Sequence, residues 1–332
     1  MFTILRTLIN TPSVSGREEK IRELIKKYIT PLCDEVYTDA LGNLIAHKKG
    51  SLENAPKVML CAHMDEIGFL VTFIEDDGFI RIAPVGGISP AAAAFSEVVS
   101  ENGIAGVIVP DSETKPADYK LDKFYIDIGA KNKKEADERV KIGDFFVCRP
   151  SLTRLVGKRI AGRPLDDRIG CAVLIDVAEY FTKNPHSCDL YYVFSVQEEV
   201  GCRGAKTAAF GISADFGLVF DVTGTGDVPT SKPMACKVGD GAAIKIKDTS
   251  VICHKDVVNK LIELAEANRI NHQTEILTYG GTDTSAIQMT GSGAKVGALS
   301  IPSRYIHSGV ELCDLSDAEA CAKLAEKFIE SI

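Results

Sequence analysis

The stretch VMLCAHMD at residues 58–65 carries polar, metal-binding side chains directly behind a run of apolar ones. The apolar run at 58–62 predicts a strand, and His63 and Asp65 follow it at once. In open α/β sheets, ligands bind beyond the carboxyl ends of the strands. The stretch therefore predicts one strand of such a sheet, with a binding site at its end.

Four further segments place metal-binding side chains where an apolar run ends. They are PLDDR at 164–168, QEEVG at 197–201, FDV at 220–222 and YIHS at 305–308. Carboxylate and imidazole ligands in this mixture suit zinc, cobalt or manganese. Two such ions can together activate a water and polarise a carbonyl. The five segments together predict a two-metal hydrolase.

Helical and extended patterns alternate over most of the chain. Helices are predicted at 17–29, 170–181, 256–268 and 315–331. Strands are predicted at 36–38, 44–47, 58–62, 190–196, 216–220, 275–277 and 295–300. The first helix is expected to begin with a capping box formed by Ser15 and Glu18. The alternation predicts an α/β fold with a mostly parallel sheet and helices on both faces.

Residues 69–159 have a different pattern, with short alternating runs broken by glycine, proline and aspartate. This pattern predicts an all-β module. Metal-binding segments lie on both sides of it, at His63 and at Asp166. We therefore predict a discontinuous catalytic α/β domain of residues 1–68 and 160–332, with a β domain of residues 69–159 inserted at a surface loop.

The composition of the chain argues against a nucleic-acid partner and against a membrane-spanning segment. The 332 residues carry a net charge of -8, and no stripe of lysine or arginine is present to neutralise nucleic-acid phosphates. No run approaches the length of about 18 apolar residues that a membrane span needs. The ten cysteines include no CxxC pair, which is typical of buried thiols in a reducing compartment. A cytoplasmic location is predicted, and Cys202, just after the glutamate pair, is the cysteine to examine for metal or oxidation chemistry.

The motifs resemble those of the M42 family of dinuclear metallo-aminopeptidases. The matching segments are 63–68, 165–168, 198–201, 220–222 and 305–308, with 127–130 and 280–283 in addition. The resemblance implies a phosphopeptidase-like α/β catalytic domain and an inserted PDZ-like β-barrel that serves dimerisation. It also implies dimers that assemble into a hollow tetrahedral dodecamer.

Ligand roles follow from the chemistry of the side chains and agree with the family pattern. One metal ion is expected to be held by His63 and Asp221, and a second by Glu199 and His307. Asp166 is expected to bridge the two ions through its two carboxylate oxygens. The resemblance selects Asp166 rather than the neighbouring Asp167, with a cis peptide bond between them, and leaves Asp167 as the second choice.

Catalytic roles are assigned to Glu198 and Asp65. Adjacent residues on an extended segment point to opposite sides, so Glu199 can bind metal while Glu198 faces the bridging water. Glu198 is the predicted general base and acid. Asp65 is expected to accept the second ring N–H of His63 and so fix its tautomer.

Two other features remain open at this stage. Gly281, Thr282 and Asp283 are candidates for substrate binding, and the equal alternative is a turn that caps a helix beginning near Asp283. Arg168 lies beside several acids and is predicted to be a structural counter-charge.

The predicted activity is removal of the N-terminal residue of peptides by a hydroxide that bridges two metals. A metal-dependent deacylase of N-acyl amino acids would use the same ligands. An endoglucanase would need a carboxylate pair, but the chain has no tryptophan to form a sugar platform. A non-catalytic scaffold or peptide-binding shell is the remaining alternative.

Overall fold

A computed structural model describes residues 1–332 as nine α-helices and seventeen β-strands. The helices are α1 (Phe2–Ile9), α2 (Glu19–Ile29), α3 (Pro90–Ala93), α4 (Lys133–Asp137), α5 (Arg168–Tyr180), α6 (Arg203–Ile212), α7 (Lys255–Ala267), α8 (Asp283–Gln288) and α9 (Leu315–Glu330). The strands are β1 (Glu35–Thr38), β2 (Leu44–Lys48), β3 (Lys57–His63), β4 (Gly68–Ile74), β5 (Ile80–Val85), β6 (Glu97–Ser100), β7 (Ala105–Pro110), β8 (Phe124–Asp127), β9 (Phe145–Cys148), β10 (Ser151–Arg154), β11 (Arg159–Arg163), β12 (Asp189–Ser195), β13 (Phe216–Thr223), β14 (Ala242–Lys247), β15 (His272–Ile276), β16 (Lys295–Arg304) and β17 (Glu311–Asp314).

Eleven of the strands form one mixed sheet in the order β1-β2-β12-β3-β13-β16-β17-β11-β10, and β14 and β15 continue beside β16. The four central strands, β12, β3, β13 and β16, are parallel. The expectation of a mostly parallel sheet is wrong at the edges, where β1, β2, β10, β11 and β17 pair antiparallel. Short connections favour antiparallel neighbours, which applies to the pairs β1–β2, β10–β11 and β16–β17. The antiparallel pairs β2–β12 and β11–β17 join strands that are distant in sequence.

The other six strands, β4 to β9, close into a barrel. Fifteen buried residues form its own apolar core, separate from the cluster of 63 buried residues in the α/β part. The barrel strands run from Gly68 to Cys148. Strand β10 lies within the range expected for the insert, but it pairs with β11 in the large sheet.

Two groups of helices pack on the large sheet, one formed by α1, α2, α5, α7 and α9 and the other by α6 and α8. Helices α1 and α6 and strand β14 were not anticipated from the sequence. The predicted capping box at α2 is wrong, because the Ser15 hydroxyl donates to the Asp65 carboxylate and the helix begins at Glu19. No helix is long and apolar enough to cross a membrane.

Candidate metal centre and active site

Most of the predicted ligands lie at the carboxyl ends of the central strands. His63 is the last residue of β3, Glu198 and Glu199 follow β12, and His307 follows β16. Asp221 is inside β13, which continues to Thr223 rather than ending at residue 220 as predicted. Because these strands are parallel, their ends meet at one edge of the sheet, and segments distant in sequence converge there.

Asp166 lies between the two histidines. Its Oδ1 is 3.1 Å from Nε2 of His63, and its Oδ2 is 3.3 Å from Nε2 of His307. Nε2 of His307 is also 3.0 Å from the carboxylate of Glu199, and Nε2 of His63 is 3.8 Å from that of Asp221. The two carboxylate oxygens of Asp166 therefore face two different sets of donors, one on each side.

Asp167 belongs to the same cluster but has different partners from Asp166. Its carboxylate lies within 4.8 Å of ligand atoms of His63 and Asp221, while Oδ1 caps α5 by accepting the N–H of Gly170. The peptide bond between Asp166 and Asp167 is cis. Asp167 therefore accepts a backbone N–H at the start of α5, whereas both carboxylate oxygens of Asp166 face imidazoles.

The cluster carries an excess of buried acid. Four acidic side chains lie close to the two histidines, namely Asp166, Asp167, Glu199 and Asp221, and Glu198 and Asp283 form a group of their own with Cys202. Burial raises the pKa of Glu198 well above its ordinary value, and the carboxylate of Asp221 adds to this effect. Burial also raises the pKa of Asp221 itself. Packing this much negative charge away from water is unfavourable unless cations offset it.

The pKa values of the two imidazoles are raised as well, but by neighbouring carboxylates and against the effect of burial. Burial alone would lower the pKa of His307, but Asp166 and Glu199 raise it to about 11. The same competition at His63, with hydrogen bonds to Asp166 and Asp65, raises its pKa well above the usual range. The donor set of carboxylate oxygen and imidazole nitrogen and its excess of acid together fit divalent cations.

Asp65 contacts both His63 and the glutamate pair. Nδ1 of His63 is 3.1 Å from the backbone oxygen of Asp65 and 3.5 Å from its carboxylate. The backbone oxygen is thus the nearer of the two Asp65 acceptors for the ring N–H, and the carboxylate lies slightly farther away. The carboxylate also accepts the backbone N–H groups of Glu198 and Glu199, at 3.0 and 3.2 Å, and the hydroxyl of Ser15 at 2.7 Å.

The side chains of Glu198 and Glu199 have different partners, although both residues lie beyond the end of β12 and not on an extended strand. The side chain of Glu199 reaches His307, whereas that of Glu198 reaches Cys202, whose thiol donates to Oε1 over 3.2 Å. Glu198, Cys202 and Asp283 form a separate group of close ligand atoms. The thiol of Cys202 is half-buried and protonated, since burial and the neighbouring Glu198 raise its pKa.

A cavity of about 440 Å³ opens onto this cluster. Gly281 and Thr282 line it, and the side chain of Thr282 also caps α8, as the alternative interpretation of this segment expected. Asp283, predicted with them to bind substrate, does not line the cavity. Its buried carboxylate accepts the hydroxyl of Ser195 and lies within reach of the thiol of Cys61.

A family model described as M42 glutamyl aminopeptidase matches residues 42–324. The chain belongs to the M42 aminopeptidase family. Enzymes of this family are hydrolases that act as exopeptidases. The chain is 45% identical over 330 residues to a protein of Acetivibrio thermocellus that bears an aminopeptidase name, a match that covers 99% of this chain and 98% of the relative.

Solved structures agree with this assignment. The aminopeptidase APDkam598 from Desulfurococcus kamchatkensis superposes with a TM-score of 0.95 at 37% identity, covering 99% of this chain and 94% of that one. The TET1 peptidase of Pyrococcus horikoshii superposes with a TM-score of 0.89 at 36% identity, covering 100% and 99%. That peptidase can assemble into a tetrahedron or a large octahedral shell.

One residue that positions the M42 site was missed by sequence reasoning. Oε2 of Glu311 accepts the backbone N–H groups of Leu165, at 2.6 Å, and Asp166, at 3.0 Å, and its other oxygen is 3.4 Å from Arg163. It thereby fixes the backbone that presents Asp166. Glu311 lies 145 residues from Asp166, and no local pattern relates the two.

Arg168 is structural, as expected. Its guanidinium is fully buried and donates to the backbone oxygens of Met64 and Thr11, to the hydroxyl of Ser13 and to Glu66. These contacts tie the start of α5 to the segment behind His63. None of them faces the cavity.

Strained backbone concentrates around the site. Gln197, Cys202, Tyr305 and His307 all have left-handed φ angles, between 52° and 62°. Non-glycine residues in this region cost of the order of 1 to 3 kcal/mol each and persist where the surroundings enforce them. Their position beside Glu198, Glu199 and the imidazole of His307 links the strain to the presentation of these side chains.

Proposed function

We propose that this chain removes the N-terminal residue of peptides with two divalent metal ions per subunit, zinc, cobalt or manganese. His63 and Asp221 would hold one ion, Glu199 and His307 the other, and Asp166 would bridge them. The observation that carries this proposal is the placement of the two Asp166 oxygens 3.1 and 3.3 Å from different imidazoles. When bound, the ions supply a Lewis acid and an activated water.

Glu198 is the proposed general base. Its side chain has a different partner from that of Glu199 and lines the cavity, where it can accept a proton from the attacking water and return it to the leaving amine. Asp65 holds the backbone of both glutamates, which makes it a positioning residue. Gly281 and Thr282 are proposed to contact the substrate from the cavity wall.

The inserted barrel and the cellular location belong to the same proposal. Residues 69–159 would form the dimerisation domain of an enzyme whose catalytic domain comprises residues 1–68 and 160–332. Dimers would build a dodecamer, a proposal supported by the shells that the TET1 peptidase of Pyrococcus horikoshii forms. All ten cysteines are free, which supports a cytoplasmic location.

The deciding experiment uses protein stripped of metal with a chelator and then supplied with cobalt, zinc or manganese. Free and N-acetylated peptides are incubated with it, and release of the first residue is followed by mass spectrometry. We expect metal-restored trimming of free peptides only. Activity confined to N-acetylated peptides would indicate a deacylase instead. Inactivity on both kinds of peptide would favour the endoglucanase and scaffold alternatives.

The variant Glu198→Gln tests the proposed proton transfer without changing the metal ligands. The amide keeps the size of the side chain but cannot accept the proton, so hydrolysis should fall while both metals remain bound. A variant that retained full activity would rule out Glu198 as the base.

A further inference from the structure

The cavity at the metal cluster has two chemically different parts. One end is formed by the proposed ligands and Glu198. The other wall comes from the last residues of β13 and β16 and from the loops that follow β13, β15 and β16, within residues 222–228, 277–282 and 303–306. A peptide whose first carbonyl lies at the ligands would direct its first side chain along this wall.

The wall away from the ligands is largely apolar. Its apolar and aromatic members are Val222, Val228, Leu277, Tyr279, Tyr305 and Ile306. Tyr279 and Tyr305 are 59% and 54% exposed, so their rings are available for contact with a substrate. The other lining residues are glycines, threonines, one serine and Arg304, and over Gly224 the hydroxyl of Tyr279 occupies the space that a Cβ would need.

Arg304 is the single charged side chain on this wall. Its guanidinium is held in a two-pronged ion pair by Asp227, with 3.0 Å from Nε to Oδ1 and 2.6 Å from Nη2 to Oδ2. Both side chains are mostly buried, with 17% and 12% exposed. The ion pair lowers the pKa of Asp227 to about 2 despite its partial burial, so the carboxylate is ionised at neutral pH.

Such a pair cancels the charge that Arg304 would otherwise present. The planar guanidinium donates two parallel hydrogen bonds to one carboxylate, and such bidentate ion pairs are the strongest that a guanidinium forms. An acidic substrate side chain would have to compete with Asp227 for the same donors. A basic side chain would meet no unpaired acid outside the proposed metal ligands and Glu198.

We propose that this site accepts peptides whose first residue has a large uncharged side chain, aliphatic or aromatic, and that Asp227 sets this preference by neutralising Arg304. The inference rests on the proposed aminopeptidase activity and makes it more specific. It also separates this chain from the glutamate preference in the description of its family. A charged first residue would be desolvated along this wall without a partner, which is unfavourable.

The first test is a series of peptides that differ only in the first residue, leucine, phenylalanine, glutamate or lysine, cleaved by the metal-loaded enzyme. We expect kcat/KM for leucine and phenylalanine to exceed that for glutamate and lysine by about tenfold or more, as unpaired polar groups discriminate strongly in a binding site. Glutamate or lysine peptides that are cleaved as fast as the leucine peptide would overturn this inference and leave the proposed function intact. If no peptide is cleaved, both fail together.

The second test changes the ion pair. In Asp227→Asn the guanidinium keeps its charge but loses its partner, so the ratio of glutamate to leucine kcat/KM should rise by about tenfold. Asp111→Asn is the matched control, because it removes an acid 2.8 Å from Arg81 in the barrel, away from the cavity. In the double variant Asp227→Asn with Arg304→Gln, the ratio of glutamate to leucine kcat/KM should return to the wild-type value.

An unchanged ratio in a folded Asp227→Asn enzyme would show that Asp227 does not set the preference. If this variant does not fold, the wild-type peptide series decides the substrate class by itself.

Discussion

The carboxylate of Asp65 accepts the backbone N–H of Glu198, with 3.0 Å between Oδ1 and the nitrogen. This bond joins the segment that follows β3 to the segment that follows β12. The proposed base and the first ligand histidine are therefore positioned by the same residue. Such supporting contacts orient ligands and catalytic groups in metal sites, and their loss is felt in activity.

Asp65→Asn is expected to lower kcat/KM by about 10- to 100-fold, because an amide cannot accept both N–H groups and the Ser15 hydroxyl. Peptide hydrolysis and metal content are measured on the same preparation. Asp77→Asn, an exposed acid in the barrel, is the control. Wild-type activity in Asp65→Asn would contradict the positioning role.

Asp166→Asn is expected to remove both metal ions, since one neutral amide cannot replace a carboxylate that faces two imidazoles. Asp221→Asn and Glu199→Gln should each lose mainly one ion. Elemental analysis of dialysed protein gives the number of ions per subunit. A stoichiometry near two in Asp166→Asn would exclude the bridge.

Metal removal should also destabilise the protein. The buried carboxylates then repel one another, and binding to the folded state alone stabilises by about 2.7 kcal/mol when free metal is 100 times its Kd. Thermal unfolding with and without a chelator measures the difference. In Asp166→Asn, which is expected to bind no metal, the chelator should change the Tm little. This comparison separates the loss of stability on metal removal from general effects of the chelator.

Cys202→Ala should reduce kcat/KM by less than about tenfold, because a hydrogen bond of this kind contributes roughly 0.5 to 1.5 kcal/mol. The thiol donates to Glu198, so its loss should also move the acidic limb of the pH profile to higher pH. Cys202→Ser retains a donor and should restore the profile. Cys33→Ala, another half-buried free cysteine, is the control, and a profile identical to wild type in Cys202→Ala would oppose this role.

Glu326→Gln tests a pH-dependent contribution to stability away from the metal site. Burial raises the pKa of Glu326 on α9 from 4.5 to about 7. Its contribution is therefore fully present below the unfolded value near pH 4.5 and is lost as the pH rises through 7. The variant should have a higher Tm than wild type above about pH 8, and the difference should vanish towards pH 4.5.

Glu53→Gln, an exposed acid, serves as the comparison for Glu326→Gln. Equal Tm changes in the two variants, at every pH, would show that burial of Glu326 has no part in the effect.

The ligand types and most central elements were predictable because both depend on local pattern. An apolar run that ends in His63, or in the pair Glu198 and Glu199, identifies a strand and the chemistry at its end without knowledge of any neighbour. The amphipathic period of α2 likewise predicted a helix, although not its first residue. Sheet edges were not predictable, because pairing direction depends on partners that adjacent residues do not specify.

The sequence by itself determined which residues could bind metal and that an α/β sheet would present them. Tertiary structure alone decided that Asp65 holds the glutamate backbone, that Asp283 lies outside the cavity, and that Glu311 supports Asp166. It also paired Arg304 with Asp227, 77 residues away. The physical reason is that strand and helix patterns reflect contacts between near neighbours, whereas the partner of a buried charge is set by how distant segments pack.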